Sequence, residues 1–182
     1  QALRARFVPL YGMAKSDSFF IRSSLNIGAA ATYAQTAIDL GAYVDALGKS
    51  VLRIHNIAVA FTDSTGTSAT VDGDASAAAQ FQLLTQSQTD TILPSNKAII
   101  ASGMVNAVNQ EAGNGVASVV SDQFDNLPQL WTNGYLVAVD TIYLGGEANA
   151  GFNEDVYVSV TMECTVETMT QAAAMALALS QQ

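Results

Sequence analysis

The sequence holds one histidine, His55, and one cysteine, Cys164. A lone imidazole excludes a histidine-cluster metal site, and a general base needs a nucleophile to activate. Neither a Gly-x-Ser-x-Gly elbow nor a Gly-rich phosphate loop closing on Gly-Lys-Ser/Thr is present. His55 lies inside a β-rich run, where a hydrogen-bonded structural imidazole is expected. Cys164 is in phase with Val160, Met162 and Val166, so it reads as a small core side chain and not as a reactive thiolate. A single cysteine also excludes an intrachain disulfide. No catalytic and no cofactor-binding residue is assigned, and a non-enzyme is expected.

Hard oxygen ligands are the next candidate chemistry. Asp72-Gly73-Asp74, with Asp63 earlier in the same polar stretch, offers carboxylates in a flexible segment of the kind Ca2+ takes. The segment departs from the EF-hand pattern and has no bidentate Glu where that loop needs one. Two readings stand: a solvated acidic turn with no metal, or a Ca2+ site on Asp72 and Asp74. Glu154-Asp155 reads as the polar lip of a strand or as a cation contact between subunits.

The third candidate is basic. Residues 1 to 14 (QALRARFVPLYGMA) carry Arg4 and Arg6 among Leu3, Phe7, Val8, Leu10, Tyr11 and Met13. As an arm ahead of the first clean strand, this segment either packs on its own domain or reaches a neighbouring subunit or an anionic layer. In the second case Arg4 and Arg6 pair with carboxylates or phosphates, and Phe7 and Tyr11 make apolar contact. The sequence opens at Gln1 with no signal peptide, so either a leader has been removed or residues precede it.

Charge restricts the partners. Seven Lys and Arg face 16 Asp and Glu, a net charge of -9, which argues against direct or sequence-specific binding of nucleic acid through phosphate neutralisation. All seven cations lie in the first 97 residues; residues 98 to 182 hold nine carboxylates and no Lys or Arg, so that half makes no Lys or Arg ion pair within itself. Apolar residues make up 49% of the chain, yet no run of 18 forms a membrane-spanning helix, so a folded, soluble protein is expected.

Period-2 patterning dominates the elements that would position these residues. Val156, Val158, Val160, Met162, Cys164 and Val166 alternate with Tyr157, Ser159, Thr161, Glu163, Thr165 and Glu167, a half-buried strand of unusual length. Strands are also expected over 18–27, 32–40, 51–62, 78–85, 98–108, 115–121 and 135–144, eight in all. The apolar positions of 51–62 change parity, which a bulge near His55 and Asn56 would reconcile. The run from Tyr135 to Leu144 is apolar on both faces and reads as one strand covered on both sides. Residues 63–75 read as an exposed loop, 42–49 as a turn or short helix, and 171–179 as a short helix that needs a docking surface. The expected organisation is one domain: an arm (1–14), a β-sandwich (15–169) and a C-terminal extension (170–182).

Eight strands, the long DVYVSVTMECTVETMT, the preceding YLVAVDTIYLGG, an N-terminal arm and a short C-terminal extension together resemble a viral jelly-roll capsid protein. Among these, the chain is most similar to the single jelly-roll major capsid proteins of icosahedral, membrane-containing archaeal and bacterial double-stranded DNA viruses. The resemblance implies an eight-stranded antiparallel jelly roll in a virion shell, capsomers of several copies or of two related proteins, and an inner face towards lipid. It brings no catalytic residue. Composition favours assembly independently, because 30 Ala and 52 Ser, Thr, Asn and Gln permit close contacts with few charges to desolvate. The alternative from a related class is a tube- or filament-forming β-sandwich, such as a tail tube or a filament that donates its N-terminal strand. A Ca2+-dependent binding module is the third reading.

Overall fold

The alternation over residues 156 to 167 builds the central strand of the molecule. The computed structural model describes residues 15–45 and 47–182. Its elements are β1 (Phe19–Gly28), β2 (Ala34–Asp39), β3 (Ser50–Thr62), β4 (Ala75–Leu84), β5 (Ile99–Asn109), β6 (Val119–Asn126), a 3-10 turn (Pro128–Leu130), β7 (Tyr135–Val137), β8 (Thr141–Ala148), β9 (Val156–Thr168) and one helix, α1 (Gln171–Ser180).

The strands form two antiparallel sheets, ordered β1-β9-β3-β7 and β2-β8-β4-β5-β6. Apart from the β4–β5 hairpin and the added edge strand β6, successive strands alternate between the sheets, which is the wrapping of a jelly roll. The inward faces meet in one core: Val156, Val158, Val160, Met162 and Cys164 from β9 and Leu52, Ile54 and Ile57 from β3 oppose Phe81 and Leu83 from β4 and Ile142 and Leu144 from β8. The parity change in β3 is resolved as the sequence suggests, because the β3–β9 register slips between Ile54 and Asn56 and leaves His55 as the extra residue.

Among the described residues nine strands form where eight are expected, because the run from Tyr135 to Leu144 is two strands. Residues 135–137 pair with β3 in one sheet, and Thr141 onward pairs with β2 and β4 in the other. Between them Ala138 and Val139 cross the sandwich fully buried. The run is apolar on both faces because it passes through the core from sheet to sheet. The expected strand at 115–121 lies further along, at Val119–Asn126, and residues 42–45 and 47–49 form a turn with no helix.

Two additions cover the outer faces. Residues 85–98 fold over the outside of the five-stranded sheet, so Gln82, on the polar side of the β4 alternation, is 1% exposed. Its amide is satisfied there: Nε2 donates to Tyr33 Oη (2.9 Å) and to the Asp90 carbonyl (3.1 Å), and Oε1 accepts from the Ile92 amide (3.0 Å). Helix α1 carries no charge and is capped by Thr170, whose hydroxyl accepts from the Ala173 amide. It docks through Ala174 and Ala178 on Val51 and Ala138. Gln181 then clamps the crossover, accepting from the Ala138 amide (2.9 Å) and donating to the Leu136 carbonyl (2.7 Å). The tail therefore has the docking surface that a helix of this length requires.

Gly134 precedes β7 at φ 63°, and a Cβ there would run into the Ile54 carbonyl on β3. Gly134→Ala adds left-handed strain to a backbone clash and is expected to cost about 2 kcal/mol or more. Thermal unfolding should then begin roughly 4–8 °C lower; an unchanged melting curve would show that the β3–β7 contact yields freely.

Candidate assembly surface

On the outward face of the four-stranded sheet, the end of β9 departs from simple alternation. Thr165 and Glu167 are buried, while Val166 is only partly so. Glu167 is held by Arg53 of β3, whose Nε and Nη2 donate to Oε1 (2.7 Å) and Oε2 (2.8 Å) in a bidentate fork. The third arm of the guanidinium donates to the Asn133 carbonyl at 2.5 Å. Lys15 approaches the same carboxylate at 3.8 Å, and its backbone bridges Glu167 as the chain enters the roll. Hydrogen bonds from Arg53 hold the Glu167 carboxyl below the usual carboxylate range, and the same contact raises the Arg53 guanidinium.

His55 sits beside this cluster with its ring Nε2 2.8 Å from Thr165 Oγ1, in the hydrogen-bonded position expected of it. Partial burial, then the positive charges of Lys15 and Arg53, push its pKa down. Cys164 is fully buried, and desolvation pushes its thiol up to about 12.

The acidic candidates go separate ways. Asp63 closes its own loop: its carboxylate accepts from the Thr65 amide and hydroxyl (2.8 and 2.7 Å) and from the Thr67 amide and hydroxyl (3.0 and 2.6 Å), which holds its pKa well below the ordinary value. Asp72 and Asp74 are exposed in the turn before β4, Asp74 at φ 55°. Among the described residues, no three His, Cys, Asp or Glu side chains are grouped to hold a metal. Glu154 accepts from the Thr70 amide and hydroxyl, both at 2.6 Å, and Asp155 accepts from Asn26 at 3.0 Å. The arm contacts expected of Arg4, Arg6, Phe7 and Tyr11 lie outside the described residues.

The largest departure from a self-contained sandwich is at its flanks. On one side β1 packs against β2 and β8 and closes the sandwich. On the other, β7 pairs only with Leu52–Ile54, leaving the rest of the β3 edge without a strand partner among the described residues. Gln129 fills the first place: its side chain accepts from the Ile57 amide and donates to the Ile57 carbonyl, both at 3.0 Å, as a neighbouring strand would. Opposite, β6 is the outer strand of its sheet, with Val119 57% and Val120 61% exposed. The sandwich opens here into a cavity of about 340 Å³ lined by Phe61, Val105, Ala107, Val116, Val120 and Phe152. At its inner end Phe61 stacks on Phe124, ring centroids 6.3 Å apart, with Phe81 tilted against both.

The lack of Lys and Arg after residue 97 implies from the sequence that edge strands in that half are covered by neighbours, but sequence reasoning missed which edge this is. The signal available was the pair Val119-Val120 beside exposed Val116, without a Lys or Arg anywhere after residue 97. That combination marks an edge with none of the usual cationic protection.

No protein-family profile matches the chain, and no curated protein matches it in sequence. Solved structures of viral proteins are distantly similar to it. VP1 of Trichodysplasia spinulosa-associated polyomavirus is similar at 9% identity and a TM-score of 0.49, covering 84% of this chain and 96% of that one. A turnip yellow mosaic virus chain is similar at 9% identity and a TM-score of 0.40, covering 92% and 87%. VP1 of Merkel cell polyomavirus, from an unassembled pentamer, is similar at 8% identity and a TM-score of 0.41, covering 82% and 95%.

Proposed function

We propose that the chain is a non-enzymatic structural subunit of a virion, one jelly roll per copy, that assembles with itself into the capsid shell. The observation that carries this reading is the open flank. An eight-residue outer strand with exposed valines, no cation and an apolar cavity behind it is an aggregation site on a monomer and an interface in an assembly. Fold alone would not suffice, since jelly rolls also serve as lectins and cupins. The strand order, the 13-residue final strand and the docked C-terminal helix support the resemblance to the single jelly-roll capsid proteins of membrane-containing archaeal and bacterial viruses. On that finer reading the partners are further copies or a related capsid protein, with lipid beneath the shell.

Negative-stain microscopy of the purified full chain tests the proposal. Closed particles are the expected result. Open tubes would transfer the reading to a tail-tube or filament subunit, and a chain that stays monomeric at millimolar concentration would end both.

A further inference from the structure

We propose that the open flank between the β3 edge and β6 receives the N-terminal segment of a second copy as an added strand. The inference rests on the reading of the chain as a self-assembling subunit and names the contact that joins one copy to the next.

Backbone geometry prepares the site. Amide and carbonyl directions alternate along a strand, so Val59 and Phe61 point theirs the same way as Ile57. At Ile57 those groups are answered by Gln129; at Val59 and Phe61 no strand of the described residues answers them. An added strand on this edge would turn alternate side chains into the cavity lined by Phe61, Val105, Val116 and Val120. Gln129 blocks extension beyond Ile57, which limits the pairing to a few residues.

The arm has the matching pattern. In Leu3-Arg4-Ala5-Arg6-Phe7, Leu3, Ala5 and Phe7 share one face of an extended strand, and Arg4 and Arg6 share the other. Charge matches as well. Through Ser68 and Thr70 the cavity adjoins a second depression lined by Asp63, Glu154 and Asp155. The hydrogen bonds those carboxylates receive come from neutral donors, and the ion pairs among the described residues all involve Glu167. Arg4 and Arg6 would supply the missing positive charge.

Reach points to a neighbour. The described chain begins at Lys15, opposite Glu167, whereas Val59 pairs with Val160, seven steps along β9 or about 23 Å away and two strands across. Residues 1 to 14 span at most about 50 Å when extended. With residues 3 to 7 laid into a flank, residues 8 to 14 span at most about 25 Å, too little to pass around the roll to the chain's own flank, so the arm is directed to a neighbour.

Crosslinking of the full chain tests the contact, with the buried Cys164 left in place. Phe7→Cys chains are mixed with Val120→Cys chains under mild oxidation, and separately with Ser24→Cys chains, whose added thiol sits on the outer face of β1. The expected result is at least tenfold more linked heterodimer with Val120→Cys than with Ser24→Cys, and at least tenfold weaker association of Val120→Asp chains with unchanged melting. Equal linking to both partners would overturn the proposal. So would a double variant that links within a single chain at high dilution. Normal particles from Val120→Asp chains would dismiss the flank as the contact while leaving the shell reading intact; wild-type chains that never associate would dismiss both.

Discussion

Val160→Asp is expected to leave the chain unfolded. Val160 is 1% exposed, sits midway along β9, and is flanked by Val59 on β3 and Ser23 on β1. Val158 and Met162 on the same face are fully buried, so a carboxylate there has no partner and no water. A penalty of several kcal/mol for that group is comparable with the whole stability of an ordinary domain, about 5–15 kcal/mol. Far-UV circular dichroism should lose its β signal. Ser159→Asp, one residue away on the outward face, should keep it and melt within a few degrees of wild type. A Val160→Asp chain that melts like wild type would mean that β9 turns its other face inward.

Arg53→Met is the second large effect. It leaves the Glu167 carboxylate, 5% exposed, with only the more distant and half-exposed Lys15. Breaking one side of a buried pair costs about 3 kcal/mol, which lowers the melting temperature of a chain this size by roughly 6–12 °C. Replacing both partners, Arg53→Met with Glu167→Leu, should recover most of that loss, because neither charge is then stranded. The folded-state pKa of Glu167 lies below its ordinary value of 4.5, so the stability contributed by the pair is complete above that pH and is lost as pH falls through the folded-state value. In Arg53→Met the same carboxyl protonates more readily on burial. The gap between wild type and variant should therefore narrow towards pH 3 in acid melts. A gap independent of pH would mean that packing of the arginine stem, and not its charge, is what the substitution removes.

The parts of the fold that could be read from residue order are those governed by one local rule. The alternation of β9, the paired faces of β1 and the parity slip at His55 each follow from the two-residue period of a strand. The structure places them as the pattern implies, save at the end of β9, where Glu167 is buried and Val166 only partly so. Local rules failed where a second element supplies the environment. Gln82 is buried because residues 85–98 cover it, and nothing within β4 signals that cover. Glu167 is buried because Arg53, 114 positions earlier, reaches it from the adjacent strand. The Tyr135–Leu144 run was ambiguous in principle, since a strand covered on both faces and a chain crossing between sheets are equally apolar. As for the candidate site, the acidic and basic halves of a charge match were visible in composition. The open flank where we propose that they meet exists only once β7 proves too short to cover β3.

Cys164 gives the chain a built-in reporter. Its thiol is sealed between the sheets on β9, its pKa pushed up to about 12 in the folded state. A thiol-specific dye can reach it only when β9 separates from its neighbours. Labelling rates measured on free subunits and on assemblies would then time how often the roll opens, and by what factor neighbours slow that opening, with no engineered probe.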